Sequence, residues 1–326
     1  MANYNPPYTI TSKIVKLTSE ISELISDIKY IDKQYSTLKL RKKNRVRSIT
    51  GTLQIEGNTF DEAKVTSVID GKTVLGTMRE IEEVKGAVLA YDHFDKYDYK
   101  SEKDLLHAHK LLMNNLLNNA GVYRQSNVGV GGAEGVTHVA PPPNRVPQLM
   151  GEIFDWLKTT DEHLLIASCV FHYEFEFIHP FNDGNGRIGR LWQSVILKSF
   201  KELFTHIPIE SMIRDNQSKY YEALEDSGSA AESTPFIEFM LEIILKSLQE
   251  YIKESSKSDQ KSKQKSDQKI LTLMKQNSGV TIGEICSKLS MSESGVKKVI
   301  KKLKDEAKIK RVGSLKAGHW EVLDND

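Results

Sequence analysis

Between His163 and Phe177 the chain is apolar on nearly every face of a helix, and it runs directly into His-Pro-Phe-Asn-Asp-Gly-Asn-Gly-Arg-Ile-Gly-Arg at 179–190. A helix without a polar stripe must be buried on all sides. The rest of the chain therefore has to wrap it, and the polar string sits where a buried element reaches the surface. Each residue type there has a definite capacity. His179 titrates near neutral pH and can accept a proton from an attacking hydroxyl. Pro180 stiffens the chain after it, and Phe181 is a natural buried anchor. Gly184 and Gly186 permit torsions that expose successive N–H groups just before a new helix, a nest suited to anions. Asp183 offers a hard oxygen for Mg²⁺. Arg187 and Arg190, three apart, project from one side of that helix and can clamp phosphate oxygens. Gly-Asn-Gly alone would be an ordinary loop. The whole string behind a buried helix reads as a site for moving a phosphate-linked group onto an acceptor.

The flanking sequence is largely helical. Ile14, Leu17, Ile21, Leu24, Ile25 and Ile28 recur at helical spacing after Thr11 or Ser12, either a fair N-cap. The pattern predicts a basic helix over 38–55 that stops at Gly57, then helices near 61–69, 77–94, 101–117, 146–158, 217–225 and 235–252. Between them, 121–147 is rich in Gly, Pro and Val and predicts a small β-hairpin leaving through Pro141-Pro142-Pro143. His107, His109 and His172 fall in helical patterns and are expected to pack rather than catalyse. Trp156 and Trp192 read as core residues.

Residues 253–268 contain no apolar side chain and repeat Lys-Ser-Asp-Gln, which predicts a solvated linker or a frayed helical extension. Beyond it, helical patterns at 270–275, 282–289 and 296–303 precede two short strand patterns around Gly313 to Gly318. That is the order of a winged helix-turn-helix. The expected organisation is 1–60 as N-terminal helices, 61–252 as a catalytic core, 253–268 as the linker and 269–326 as the winged module. Formal net charge is +1 overall, but 269–324 hold twelve Lys and Arg against six Asp and Glu. Lys297, Lys298, Lys301, Lys302 and Lys304 on the helix from about Ser292, with Lys310, Arg311 and Lys316 near the wing, would suit DNA, a protein partner, or a plain solvated face.

Two cysteines, Cys169 and Cys286, lie in apolar helical patterns and suggest packed thiols in a reducing compartment. Met-Ala-Asn-Tyr-Asn-Pro-Pro has no basic segment followed by an apolar run, so no leader is expected. No stretch reaches the roughly 18 apolar residues of a membrane span. The expected location is cytoplasmic.

The string at 179–190 matches the Fic motif, His-Pro-Phe-x-[Asp/Glu]-Gly-Asn-Gly-Arg-x-x-Arg, at every specified position. The chain resembles the Fic family from about Thr52 to about Tyr251. Tyr123-Arg124, Val128, Gly131 and the proline run look like its flap, and Tyr220-Tyr221-x-Ala223-Leu224 like its adenine-side helix. The resemblance implies a mainly α fold: a Fic-type helical core with a β-hairpin flap, followed by the winged module. It implies AMP transfer from ATP, with Mg²⁺, to a Ser, Thr or Tyr hydroxyl of a target protein or of the chain itself. His179 would be the base and Asp183 the metal ligand. Gly184, Asn185 and Gly186 would cradle the phosphates through backbone and amide donors. Arg187 and Arg190 would meet phosphate oxygens, and Tyr221 would lie beside the nucleotide. The hairpin around Asn127, Val128, Gly129 and Val139 would pair with an extended target segment.

Many members also carry an inhibitory motif, [Ser/Thr]-x-x-x-Glu-[Gly/Asn], and Thr52-Leu-Gln-Ile-Glu56-Gly57 fits it. A glutamate at a helix C-terminus opposes the helix dipole, which makes Glu56 an odd choice for a purely structural position. By the resemblance Glu56 would pair bidentately with Arg190 and remove a donor needed for the γ-phosphate. Three other readings stay open: transfer of another nucleotide such as UMP, removal of AMP, and a DNA-binding regulator whose core senses nucleotide. A homodimer is left open too.

Overall fold

The computed structural model describes residues 4–323, apart from 36–37, 133–134 and 315–317. Lys316, expected near the wing, lies outside these residues. The chain divides into two compact units, Met1–Ile252 and Lys253–Asp326.

The first unit is helical, with one hairpin. In order it holds α1 (Ser12–Tyr35), α2 (Leu38–Ile55), α3 (Glu62–Ile69), α4 (Met78–Asp92) and α5 (Glu102–Leu112). The hairpin β1 (Gly129–Gly132) and β2 (Gly135–Val139) follows, then α6 (Val146–Thr159), α7 (Leu164–Ile178), α8 (Asn185–Phe200), α9 (Ile209–Asp215), α10 (Gln217–Ala230) and the start of α11 (Thr234–Gln276). Helix α7 is the buried centre that its sequence requires: twelve of its fifteen residues, among them Val170, Phe171 and Phe175, are buried. Helix α8 packs against it and is buried from Asn185 through Leu197 except at Gly186. Trp192 and Trp156 lie in this core. The string 179–184 is the connection between the two central helices.

Three helix starts are fixed by the residues that sequence logic favours. Thr77 and Glu80 form a reciprocal capping box at α4, Ser101 caps α5, and Thr11 accepts from the Ile14 N–H at α1. Helix α9 has no counterpart in the sequence expectation. At seven residues after Pro208 it is too short to show a periodic stripe. It nevertheless positions α2. Glu210 is buried and gathers Ser48 of α2 at 2.7 Å, Tyr91 of α4 at 2.9 Å and Ser194 of α8 at 3.2 Å. A three-way bond of this kind at a buried carboxylate satisfies a charge that would otherwise be costly to bury.

The low-complexity stretch is helical: α11 is one 43-residue helix. Its backbone bonds are internal, so it does not need an apolar face of its own. The second unit adds α12 (Ile282–Leu289), α13 (Glu293–Asp305), β3 (Ile309–Val312) and β4 (His319–Val322). Its small core comprises Ile270, Met274, Val280, Ile285, Val296, Ile300, Leu303, Ile309 and Trp320. Thr281 and Glu284 form a capping box. The strands pair antiparallel, with Arg311 opposite Trp320. Cys169 is buried, Cys286 half-buried, and both are free thiols. No helix among the described residues is long and apolar enough to cross a membrane.

Candidate active site

His179 follows the last turn of α7 in a left-handed conformation, φ +49°. That torsion is uncommon for a residue with a side chain and stops the helix abruptly. Phe181 is buried against the ring of His109, with centroids 3.6 Å apart and nearly parallel. The His109 ring also ties the loop to the chain before the hairpin. Its Nδ1 accepts from the Gly121 N–H at 2.8 Å, so Nε2 carries the proton and donates to Asp183 O at 3.0 Å. Burial pushes its pKa down to about 4, which keeps this arrangement neutral. His109 packs, as the sequence suggests, but directly beneath the loop.

Asn185 departs from expectation. Its carboxamide accepts from Phe181 N at 2.8 Å and donates to Phe181 O at 2.9 Å. The amide thus closes the loop on itself, committing its oxygen and one of its two N–H donors to the Phe181 backbone. Gly184, at φ +86°, is the residue before α8, and no side chain caps that helix. The first N–H groups of α8 therefore point outward from a dipole's positive end.

Around this end the charged groups are packed closely. Asp183 Oδ1 accepts from Gly184 N at 2.6 Å and from Arg187 at 2.9 Å, while Oδ2 accepts from Arg79 at 2.9 Å. Arg79 also reaches Glu83 at 3.1 Å. Arg187 is buried; among the described residues its Nε has no hydrogen-bond acceptor, and one terminal nitrogen has only an ion-pair contact with Glu83 Oε1 at 3.5 Å. Buried donors without acceptors are costly, and an incoming anion would satisfy them. A cavity of about 210 Å³ opens here, lined by Glu56, Gly57, Asn58, Arg79, Glu80, Glu83, Asp183 and Arg187. Arg79 and Glu83 carry no sequence motif. The one available signal is that Arg79 puts a positive charge in the first turn of α4, where the dipole disfavours it.

Glu56 reaches the same place from α2. Its helix ends in a Schellman motif: Gly57 is left-handed at φ +89°, its N–H meets Gln54 O at 3.0 Å, and Asn58 N meets Leu53 O at 3.1 Å. Glu56 is held at the turn before Gly57, and its Oε1 lies 2.7 Å from Arg190. The pair is not bidentate. Arg190 splits its donors, giving Nε to Thr52 Oγ1 at 3.0 Å and a terminal nitrogen to both Thr52 O and Glu56. Thr52 and Glu56 are one turn apart, so both face Arg190 from one side of α2. Burial, the largest single effect, would lower the Arg190 pKa, but the surrounding acidic groups, Glu56 foremost, together outweigh it and hold the guanidinium charged. Gly186 completes the contact: a Cβ there would collide with Glu56 Oε1. The carboxylate thus lies against the N-terminal turn of α8.

Behind Arg190 lies a buried polar chain. His172 Nδ1 bonds Gln193 Oε1 at 2.7 Å, and Tyr220 OH bonds His172 Nε2 at 3.1 Å. The glutamine oxygen fixes the proton on Nδ1, so the tyrosine donates to Nε2. Burial pushes His172 down to about 3 and Glu176 up to about 8, so both stay neutral near pH 7. Tyr221, next to Tyr220, is 43% exposed, and Gln217 of the same helix bonds Ile55 O at 3.0 Å. This puts Tyr221 beside the end of α2.

The hairpin pairs antiparallel, with Gly129 opposite Val139 and an irregularity between Val130 and Gly131. Asn127 and Gly129 are exposed, Val128 is half-buried and Val139 is 76% exposed. A two-stranded sheet keeps one open edge on each strand.

Residues 99–197 match the sequence model of the Fic/DOC family, and residues 263–310 match a winged helix-turn-helix DNA-binding model. A crystal structure of a Fic family protein from Desulfovibrio desulfuricans G20 is 40% identical, covers 99% of both chains and superposes with a TM-score of 0.76. Fic-1 from C. elegans, residues 134–508, is 21% identical over 75% of this chain and 73% of its own, with a TM-score of 0.60, a likeness of fold. Curated relatives named protein adenylyltransferase Fic include those of Aedes aegypti, 27% identical over 65% of this chain and 42% of its own length. That of Drosophila willistoni is 29% identical over 62% of this chain and 40% of its own. The chain spans about two fifths of the length of these curated relatives. The chain belongs to the Fic family.

Proposed function

We propose that this protein is an adenylyltransferase that moves AMP from ATP to a hydroxyl of a target protein or of itself, and that it rests in an inhibited state. The observation that carries this reading is the N-terminus of α8, where open backbone donors, the unsatisfied buried Nε of Arg187 and the fork of Arg190 converge. His179 takes the proton of the attacking hydroxyl. Positioning and charge neutralisation do most of what such an in-line transfer needs. Gly184 and Gly186 let the backbone approach the phosphates, and Tyr221 lies on the nucleotide side. The hairpin, around Asn127, Val128, Gly129 and Val139, holds an extended target segment by main-chain pairing at an open edge.

The donor set at Asp183 fits Mg²⁺. The cation commonly binds through one carboxylate plus substrate phosphates, and among the described residues Oδ2 of Asp183 is held by the exposed Arg79 alone. Mg²⁺ bound with the nucleotide would offset phosphate charge there. Glu56 and Thr52 inhibit by occupying Arg190, and the Glu56 carboxylate takes the space over Gly186 that an anion would use.

Incubation with ATP and Mg²⁺ followed by mass spectrometry tests the reading, with the Glu56→Gly variant beside the native chain. A gain of one AMP on the variant supports it. A gain from UTP and none from ATP would move the reading to UMP. Loss of AMP from a modified target, without transfer, would make the protein a de-AMPylase.

The second unit supports a further role in binding DNA. Lys297, Lys302 and Lys310 pair with Glu293, Asp267 and Glu321, and Arg311 lies half-buried over the Trp320 ring, but Lys298 and Lys301 of α13 face solvent. Duplex DNA should shift the full chain on a gel, with affinity falling steeply as salt rises. No shift at moderate salt would discard this role.

A further inference from the structure

Arg124 is a buried arginine with no carboxylate partner among the described residues, and all its bonds go to main-chain carbonyls. Its Nε donates to His179 O at 2.8 Å and one terminal nitrogen to Ser126 O at 2.9 Å. The other terminal nitrogen donates to Pro141 O at 2.5 Å and Ile178 O at 3.3 Å. Its own backbone N–H meets Pro180 O at 2.9 Å. Ser126 is on the way into the hairpin and Pro141 on the way out, so one guanidinium joins both legs of the hairpin to both sides of His179.

His179 itself is poorly placed by local preference. It is left-handed, and a residue before proline favours extended backbone. Strained torsions of this kind persist when surrounding bonds over-determine them. The bonds from Arg124 to Ile178, His179 and Pro180 do this on three consecutive carbonyls. The Pro180 bond is the backbone's, but only a planar fork with several fixed donors can span the carbonyls of Ser126, Pro141, Ile178 and His179; a lysine ammonium cannot.

We infer that Arg124 is a positioning residue that sets the distance and orientation between the target segment on the hairpin and the base at His179. This inference rests on the proposed AMP transfer. Arg124 touches neither nucleotide nor acceptor. Its action lies in fixing the acceptor oxygen within reach of His179, where displacement by about 1 Å can cost on the order of a hundredfold in rate.

The test compares Glu56→Gly with Glu56→Gly/Arg124→Lys by three measurements: AMP incorporation, ATP affinity by calorimetry, and amide hydrogen exchange. We expect incorporation to fall at least tenfold while ATP affinity stays within about twofold. Exchange should quicken in 125–129 and at Val139, with α7 and α8 still protected. An unchanged incorporation rate overturns the inference. So does a parallel loss of ATP affinity, which would mark a general structural role. If Glu56→Gly itself transfers no AMP, the functional reading fails separately, and the exchange measurement decides Arg124. Unchanged protection at the hairpin roots then overturns the tie, and selective loosening supports it.

Discussion

Arg190 of α8 and Glu56 of α2 meet at 2.7 Å although 134 residues separate them in the chain, and Gly186 leaves the space in which they meet. Arg190 is buried, and its Nε donates to Thr52 Oγ1. A nucleotide that needs this guanidinium has to displace both.

Removal of Glu56 should therefore release activity. We expect Glu56→Gly to raise AMP incorporation at least tenfold over the native chain. Thr52→Ala should give a smaller rise, since it leaves the charged contact, the stronger of the two, in place. Labelled ATP and gel autoradiography read both, and equal labelling of native and Glu56→Gly protein would dismiss the inhibitory role.

Loss of the base should be far more severe. Added to Glu56→Gly, His179→Ala should lower incorporation by roughly a hundredfold to ten-thousandfold, the range for a general base. ATP affinity should persist, because the cradle comes from the α8 N-terminus and the arginines. Transfer that survives His179→Ala would assign the base elsewhere.

Glu210 offers a test of the scaffold. Glu210→Ala strips a buried acceptor from Ser48, Tyr91 and Ser194. Bonds to a charged group are worth roughly 1.5–3 kcal/mol each, partly offset by the carboxylate's own burial cost. We expect a net loss of about 2–3 kcal/mol in urea unfolding, with Glu210→Gln retaining part of it. Because α9 seats α2, Glu210→Ala should also weaken inhibition.

The buried histidines give a pH signature. Folded His109 and His172 sit at about 4 and about 3, while the unfolded chain binds their protons near 6.5. Between these values the unfolded state holds more protons. The histidines' contribution to stability should thus rise with pH up to about 6.5, then level off, at most about 1.4 kcal/mol per pH unit per histidine. Glu176 acts oppositely. With its folded pKa near 8, its contribution is complete below about 4.5 and lost as pH rises through 8. Urea unfolding at about pH 5, 6 and 7 should show a shallower slope for His109→Gln than for the native chain. An equal slope would mean that His109 takes up its proton while folded.

Much of this architecture is legible before any coordinates. The all-round apolar character of 163–177 demands the central helix, helical spacing after Thr11 or Ser12 marks α1, and Gly57 marks a stop. Short or context-dependent features are not legible. Helix α9 has too few residues to display a period, and the polar stretch within α11 gives no apolar pattern to read. Asn185 looks like a phosphate ligand because its amide can donate. Only the folded loop reveals that Phe181's backbone already uses both ends of that amide.

The sequence by itself determined which chemistry is on offer: a base, a carboxylate, a glycine turn and two arginines within twelve residues, with Thr52 and Glu56 one helical turn apart. These follow from local spacing, which is conserved on folding. Tertiary structure decided which groups meet. Arg79 and Glu83 join Asp183, Arg124 knots the hairpin to His179, and Glu56 shares Arg190 with Thr52 instead of gripping it with both oxygens. Such pairings depend on how helices far apart in the chain pack around α7 and α8, and no local periodicity encodes that distance.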